Sequence, residues 1–567
     1  MLFSCKKSSP PKPVTNPNPP DSTVSTVDTA YNPVDPTPAS SIGFFLNNWQ
    51  PKSFTPPANV KDTSTFAGAG DVTISVDMNN VITKVSPDIF GNNSNLWMGQ
   101  MVTQPTLIKY ITDLSPNIIR GPGGSISDVY FWNQSSSPPS DAPDSIYISG
   151  SKTASGYWYG ENTQSWTLTL DNYYALLLQT NSTGILTVNY GYARYGTGPH
   201  PVQAAAHLAA DWVRYDKGRT KYWEIGNEDY GNWEAGYEID TAQNHDGQPA
   251  IITGDLYGSQ FKVFADSMRA AANEVGATIY IGAVLLDAPP PSWADATNKS
   301  WNQGVLSEAG SDADFFIVHD YFTAYNTNSS VSDILSSATT IPVSAMNYLQ
   351  QQFSQYGVAS KPIAMTEWNI QATGSMQNVS YIAGMHAAIT LGEFIKNKFG
   401  EASRWDLANG WSNGDDMGMF NIGDEPGGIP LWNPRPAFYY MYYFQKCFGD
   451  RMVASSVNGS SDILCYASSF TANAAGIIII NKSTNAHNVT VNLQHYSTGN
   501  YYYWYTLSGG TDNGNFSRKV FVNGNGSSGI SGGPANYATL PAYRLQTNKG
   551  INITSPPYSV VYVQIAR

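Results

Sequence analysis

Short apolar runs and helical patterns alternate along most of this 567-residue chain. Over residues 86–445 the strand-type runs fall at 90–91, 117–120, 184–190, 221–226, 278–283, 315–319, 362–366 and 404–407. Apolar residues at helical spacing lie between several of them, at 202–215, 257–275 and 380–398. Strands alternating with helices build a parallel sheet, and eight such units over roughly 350 residues predict an α/β fold, a (β/α)₈ TIM barrel with long loops. An open doubly wound sheet is the alternative, but no GxGxxG follows a strand. From residue 446 to 567 the helical period disappears. Runs at 463–469, 476–481, 488–493, 501–507 and 560–565 are separated by Gly, Asn and Ser, which predicts an antiparallel β-sandwich. A strand at 71–77, within the segment 61–85, precedes the barrel and is expected to join that sandwich.

The first 60 residues differ in kind. They hold 12 of the 35 Pro, mixed with Ser, Thr, Asn and Asp, and read as a disordered Pro-rich spacer. The start, Met-Leu-Phe-Ser-Cys-Lys-Lys, resembles a bacterial lipobox, although the usual basic and apolar regions before it are missing. A lipid anchor at Cys5 followed by a spacer is the arrangement of a surface lipoprotein, so an extracellular or cell-surface location is expected. No run of eighteen apolar residues exists, so no transmembrane span is expected.

Charge narrows the partners. With 30 basic and 43 acidic residues the net charge is −13, which argues against nucleic acid as a ligand. Aromatics make up 13% of the chain, and Tyr outnumbers Phe by 36 to 22. Amphipathic rings among Asn, Ser and Thr suit sugars, which offer hydroxyl edges and C–H faces. Of the other two cysteines, Cys447 and Cys465, neither lies in a metal-ligand spacing, and whether they pair is open. No metal or cofactor is expected. The acidic loops Asp415-Asp416 and Asp424-Glu425 do not match an EF-hand, and no GxSxG elbow supports a serine hydrolase.

Two carboxylates carry the chemistry. Glu228 ends the fourth strand in Lys-Tyr-Trp-Glu-Ile-Gly-Asn-Glu, and Glu367 ends the seventh in Pro-Ile-Ala-Met-Thr-Glu-Trp-Asn. Strands four and seven stand on opposite sides of an eight-stranded ring, and barrel active sites lie at the C-terminal strand ends. Two carboxyl groups facing each other there are what glycosidic cleavage requires, one protonated to donate to the leaving oxygen and one ionised. Asn227 can offer its amide to a sugar hydroxyl. Trp368 is read either as a platform beneath a sugar ring or as core. Trp405 and Trp411, near strand eight, are placed for the central subsite. The inserts at 131–166 and 285–312 carry Tyr147, Tyr157, Trp158, Tyr159, Trp166, Trp293 and Trp301, which could wall a cleft or anchor loops.

Asn-Glu after strand four and Glu after strand seven resemble clan A of the glycoside hydrolases. The segment Ile118-Ile-Arg-Gly-Pro-Gly-Gly-Ser125 is similar to the Arg-x-Pro-Gly-Gly stretch after strand two. Val188-Asn-Tyr-Gly191, Trp223-Glu-Ile-Gly-Asn-Glu228 and Val318-His-Asp-Tyr321 resemble the arabinofuranosidase-like branch, glycoside hydrolase family 51. The likeness spans about residues 70–567. It implies a retaining double displacement with Glu228 as general acid and then base, and Glu367 as nucleophile. It implies that Arg120 and Tyr321 hold Glu367 ionised, that His319 belongs to the site, and that the charge on Glu367 raises the Glu228 pKa.

One departure stands out. The branch carries an acidic residue in a His-x-x-Glu-type segment after strand one, whereas this chain has Phe90-Gly-Asn-Asn-Ser-Asn-Leu-Trp97. Asn92 or Asn95 is expected to meet substrate there. The loss weakens the case for arabinofuranose and favours an endo-β-glycanase of cellulase or hemicellulase type. An α-L-arabinofuranosidase and a non-catalytic polysaccharide-binding lipoprotein are the competing readings.

Overall fold

The computed structural model describes residues 31–471 and 474–567. Cys5 and the expected lipobox therefore lie outside the described residues. Eight parallel strands close into a barrel in chain order: Gly91–Asn93, Ile118–Gly121, Thr183–Val188, Tyr222–Ile225, Tyr280–Val284, Phe315–Tyr321, Ile363–Asn369 and Glu401–Arg404. The ring shuts where Ser403 of the eighth strand pairs with Gly91 of the first. The eighth strand thus starts three residues before the sequence pattern put it, because the polar Glu401-Ala-Ser-Arg404 run masks its strand character. Helices Pro201–Asp216, Gly254–Val275 and Tyr381–Lys396 cover the barrel where periodicity predicts them. The expected long insert at 285–312 is a correction. It contains the helix Ala296–Ala309, and Trp301 on it is fully buried with its Nε1 donating to the Val284 carbonyl.

The C-terminal strands form one wrapped eleven-stranded sheet around a second core that includes Val72, Ile74, Val76, Ile477, Ile479, Val561 and Val563. It is not purely antiparallel. The strand Val72–Lys84 pairs antiparallel with Arg451–Asn458 and parallel with His487–Gln494, so it lies inside a sheet made mostly by the C-terminus, to which a second N-terminal strand, Val60–Asp62, adds parallel to Ala542–Gln546. The barrel's last helix, Pro436–Cys447, seats on this sheet. Its Tyr443 ring lies 4.7 Å from Tyr505, and Tyr562 Oη donates to the Tyr440 carbonyl at 2.8 Å. Cys447 and Cys465 are both free thiols, and burial pushes each up to about 12.

The expectation of a disordered spacer through residue 60 needs correction for residues 31–60. Within the Pro-rich tract, Ile42-Gly-Phe-Phe-Leu46 is a five-residue break in composition, and it plugs the floor of the barrel. Phe44 stacks on Tyr280 at 3.8 Å, Phe45 packs against Tyr222 and Phe315, and the Ile363 N–H donates to the Ser41 carbonyl. These partners open the fourth to seventh strands. Gly43 sits at φ +50°, and a Cβ there would meet the Pro362 ring at 2.5 Å, so the approach requires glycine. Farther along, Trp49 takes Lys84 and Arg451 over its ring at 4.4 and 4.9 Å, which fixes the segment to the sandwich.

Candidate active site

The mouth of the barrel is organised by one buried cation. Arg120, at the end of the second strand, is fully buried and distributes all three guanidinium nitrogens. Its Nε donates to Glu224 at 2.6 Å, one terminal nitrogen to Glu367 at 2.7 Å and Asn93 at 3.1 Å, and the other to Asn227 at 2.9 Å. Burial works against this charge, but Glu224 and Glu367 outweigh it and hold the guanidinium protonated. Glu224 also accepts from Thr187 Oγ1 at 2.6 Å. A buried ion pair is tolerable only when such further hydrogen bonds satisfy it.

Glu367 receives Arg120 on one oxygen and the Tyr321 hydroxyl, at 2.9 Å, on the other. Burial and the Glu367 charge keep that phenol protonated, so it remains a donor. Strand pairing shifts register between Val318 and His319 and again between Met365 and Trp368. Such irregularities re-aim side chains, and here consecutive residues Thr366 and Glu367 both reach the site. Glu228 stands opposite. Gly226 and Glu228 have φ of +75° and +46°, a left-handed bend that a glutamate adopts only at a cost. The Asn227 N–H donates to the buried Asp128 at 3.0 Å, and the Asn227 amide donates to Glu234 at 2.9 Å, so the bend is clamped from below.

His319 lies between the two glutamates. Its Nδ1 is 2.9 Å from Glu228 and 3.7 Å from Glu367, and its Nε2 is 3.0 Å from Thr366 Oγ1. One oxygen of each glutamate and a ring nitrogen of His319 lie within 4.8 Å of one another. Three such atoms could face a cation, but Arg120 and Tyr321 already satisfy Glu367, so the cluster reads as an acid–base pair. Glu228 keeps 16% of its side-chain surface against 5% for Glu367, which makes it the member that can exchange protons with solvent. Burial raises the Glu228 pKa, but the hydrogen bond and charge of His319, the Trp233 N–H at 2.9 Å and Arg120 together bring it below the usual range. This reverses the expectation that Glu367 would raise it: donors in contact outweigh a like charge across the gap.

Replacing Trp233 by Phe removes one donor to the ionised form. A neutral hydrogen bond is worth about 0.5–1.5 kcal/mol, or up to about one pKa unit, so the Glu228 pKa rises. The alkaline limb of the kcat/KM profile, set by loss of the protonated acid in the free enzyme, is expected to move up in pH by that amount. An unchanged limb would remove Trp233 from the set.

The structure brings Arg120, Asn227, Glu228, His319, Tyr321 and Glu367 together. A cleft of about 410 Å³ is lined by Asn227, Glu228, Tyr321 and Glu367 together with Trp97, Ser125, Gln371 and Trp405, while Arg120 and His319 are not in its lining. Trp405 is thus at the cleft, with Trp97 edge-on to it at 6.2 Å. Of the two readings of Trp368 the core one holds, and the expectations for Trp411 and Asn92 fail. Trp368 is fully buried with its ring edge-on to Phe394, because alternation turns it outward to the helix layer. Trp411 lies under the Arg518 and Arg435 guanidinium groups at 5.1 and 5.9 Å, while its loop neighbours Gly410 and Ser412 line the cleft. Asn92 is buried and faces away from the mouth, and its neighbour Asn93 is the residue that reaches Arg120 and the Thr366 carbonyl. Asn95 donates to Asp406 and is not part of the cleft lining. None of the seven aromatic residues singled out in the two inserts lines this cleft either. The acidic loops are ion-paired, Asp416 and Glu425 with Arg435 and Glu425 also with Arg518.

Glu224, Asn93, Asp128, Trp233 and Glu234 are the residues that sequence reasoning missed. Glu224 had a signal: a carboxylate in the middle of a buried strand must have a cation, and Arg120 was the nearest candidate.

A closed parallel barrel with two glutamates facing each other on its fourth and seventh strands defines the class of protein as a glycosidase. Residues 110–321 match the family model described as alpha-L-arabinofuranosidase 1 domain. The α-L-arabinofuranosidase of Thermotoga maritima, solved as an arabinose complex, is similar in fold with a TM-score of 0.60 and 17% identity, over 87% of this chain and 99% of that one. The family 51 α-L-arabinofuranosidase of Bifidobacterium longum gives 0.58 and 14%, over 88% and 100%. The family 44 xyloglucanase of Paenibacillus polymyxa gives 0.55 and 13%, over 88% and 99%. No curated protein matches at the sequence level.

Proposed function

We propose that this chain is a retaining hydrolase that cuts within the backbone of a plant-type β-linked polysaccharide. The observation that carries the retaining half is the approach of Glu228 and Glu367, whose nearest oxygens lie within 4.8 Å. Retention needs carboxyl groups about 5–5.5 Å apart, whereas inversion leaves about 6.5–9.5 Å for a water. Glu367, held ionised by Arg120 and Tyr321, attacks the anomeric carbon as Glu228 protonates the departing oxygen. The C–O bond to the leaving sugar breaks and an ester to Glu367 forms. Glu228, now ionised, takes a proton from water, whose oxygen displaces Glu367 and restores both groups.

The endo half rests on the first-strand loop and the cleft. Asn93 is committed to Arg120 and Asn95 to Asp406, so neither offers the acidic contact that the arabinofuranosidase-like branch carries there. Trp97 and Trp405 instead give the cleft two ring surfaces for a pyranose backbone. An α-L-arabinofuranosidase is the second reading, favoured by the family model matched over residues 110–321.

Product analysis decides between them. Aryl arabinofuranoside, arabinoxylan, xylan, barley β-glucan, carboxymethylcellulose and xyloglucan are each given to the enzyme and to Glu367→Gln. A ladder of oligosaccharides from one backbone is expected. Free arabinose alone would replace the endo reading with the second one.

A further inference from the structure

The catalytic cleft is not the only sizeable cavity, and a second one exceeds it in volume. A pocket of about 510 Å³ lies on the flank of the barrel, lined by Gln100, Trp132, Glu161, Thr163, Asp171 and Tyr215 among others. We infer that this pocket, together with the exposed indole of Trp166, is a distal binding site for the neutral polysaccharide chain whose backbone is cut in the cleft. The inference rests on the glycan-cleaving reading for its ligand, and on its own geometry for the site.

The pocket is built from groups that recognise sugars. Gln100 is its hub. Its Oε1 accepts from the Thr169 N–H and hydroxyl, both at 3.3 Å, and from the Asn172 amide, and its Nε2 donates to the Gln164 carbonyl at 3.2 Å. The loop from Thr163 to Thr169 therefore forms one wall, with both ends in the pocket. Trp166, in the middle of that loop, is 57% exposed and takes Trp158 edge-on at 5.6 Å. A tryptophan so exposed, held by a second ring, is a prepared stacking surface and a poor structural anchor. On the other wall Trp132 stacks on Trp212 at 5.9 Å and against Tyr215 at 5.3 Å, and its N–H is used by the Leu208 carbonyl, so the ring is fixed.

Charge selects the ligand. Glu161 is exposed and makes no salt bridge among the described residues, Asp171 accepts from the Tyr215 hydroxyl, and no Lys or Arg lines the pocket. An anionic uronate chain would be repelled, whereas vicinal hydroxyls suit carboxylate and amide acceptors. The volume lies within the range of about 300–1,000 Å³ common for ligand pockets.

Position joins the pocket to the cleft. Gln100 in the pocket follows Trp97 in the cleft by three residues, a span of at most about 11 Å. Gly99 between them is so close to the 163–169 loop that a Cβ would lie 2.5 Å from the Ser165 carbonyl oxygen. Cleft, loop and pocket thus adjoin, and a chain leaving the cleft past Trp97 meets Trp166 next. A short substrate cannot reach it.

The test uses Trp166→Ala and Glu161→Gln, both at exposed positions, with thermal melts confirming the fold. On arabinoxylan, xyloglucan and barley β-glucan, KM for the polysaccharide cleaved is expected to rise roughly tenfold while kcat holds. Kinetics on aryl glycosides should not change. In native gels containing each polysaccharide, retardation of Glu367→Gln should weaken when either substitution is added. Equal KM and equal retardation would overturn the distal site while leaving the glycosidase reading intact. Retardation lost on substitution in a protein that cleaves nothing would leave the distal site standing and remove the catalytic reading. No retardation of Glu367→Gln by any of the three would overturn the distal site.

Discussion

Glu367→Gln is expected to fold, to bind polysaccharide and to turn over at least on the order of 10⁴-fold more slowly than the parent, because no other group can form the glycosyl ester. The amide keeps the volume and an acceptor for Arg120, and the Tyr321 hydroxyl can turn to accept from its NH2, so the loss falls mainly on kcat. Glu228→Ala gives a different signature. Loss of general acid and base catalysis costs about 10²–10⁴ on a sugar leaving group. An aryl glycoside with an acidic phenol needs no proton to depart, so its first step survives and the glycosyl-enzyme accumulates as a burst. Added azide, which needs no general base, is expected to restore turnover of Glu228→Ala and not of Glu367→Gln. The glycosyl azide from Glu228→Ala should keep the anomeric configuration of the substrate, and an inverted one would exchange the two roles.

Arg120→Met is expected to be the most damaging single substitution to stability in the barrel. It leaves Glu224 and Glu367 buried without their cation, and breaking a buried pair from one side costs about 3–5 kcal/mol. Activity falls with it, since Glu367 is then driven towards its neutral form. The double variant Arg120→Met, Glu224→Gln removes one of the stranded charges. Denaturant melts should show part of the stability returning, while activity stays lost because Glu367 still lacks its partner. Full recovery of activity in the double variant would show that Arg120 acts only through Glu224.

Much of this architecture could be read from the chain because a parallel barrel repeats one instruction eight times. Each apolar run between helical patterns adds a strand, and the strand ends carrying Asn227-Glu228 and Glu367 then face one another without further information. What escaped notice depended on single-residue geometry. Asn92 and Asn93 differ by one position, and in a strand that decides which one faces the interior. Trp368 sits beside a catalytic candidate and is core for the same reason. Trp411 looks identical in sequence whether its ring meets a sugar or two guanidinium groups from distant segments. The floor plug was hidden by composition, since twelve prolines outweigh the five residues that matter.

That plug and the strand Val72–Lys84 also govern how the molecule can assemble. Both are made early, yet their partners come late: Tyr222, Tyr280 and Phe315 for the plug, and Arg451–Asn458 and His487–Gln494 for the strand. Contacts this distant along the chain carry a high entropic cost before they repay it, and they slow folding. A nascent chain therefore leaves the plug without its full set of partners until the middle of the sequence has been made, and holds an unpaired thirteen-residue strand until its last quarter emerges from the ribosome. Segments from before and after the barrel are stitched into one sheet, so the sandwich is finished only when the last strands have been made.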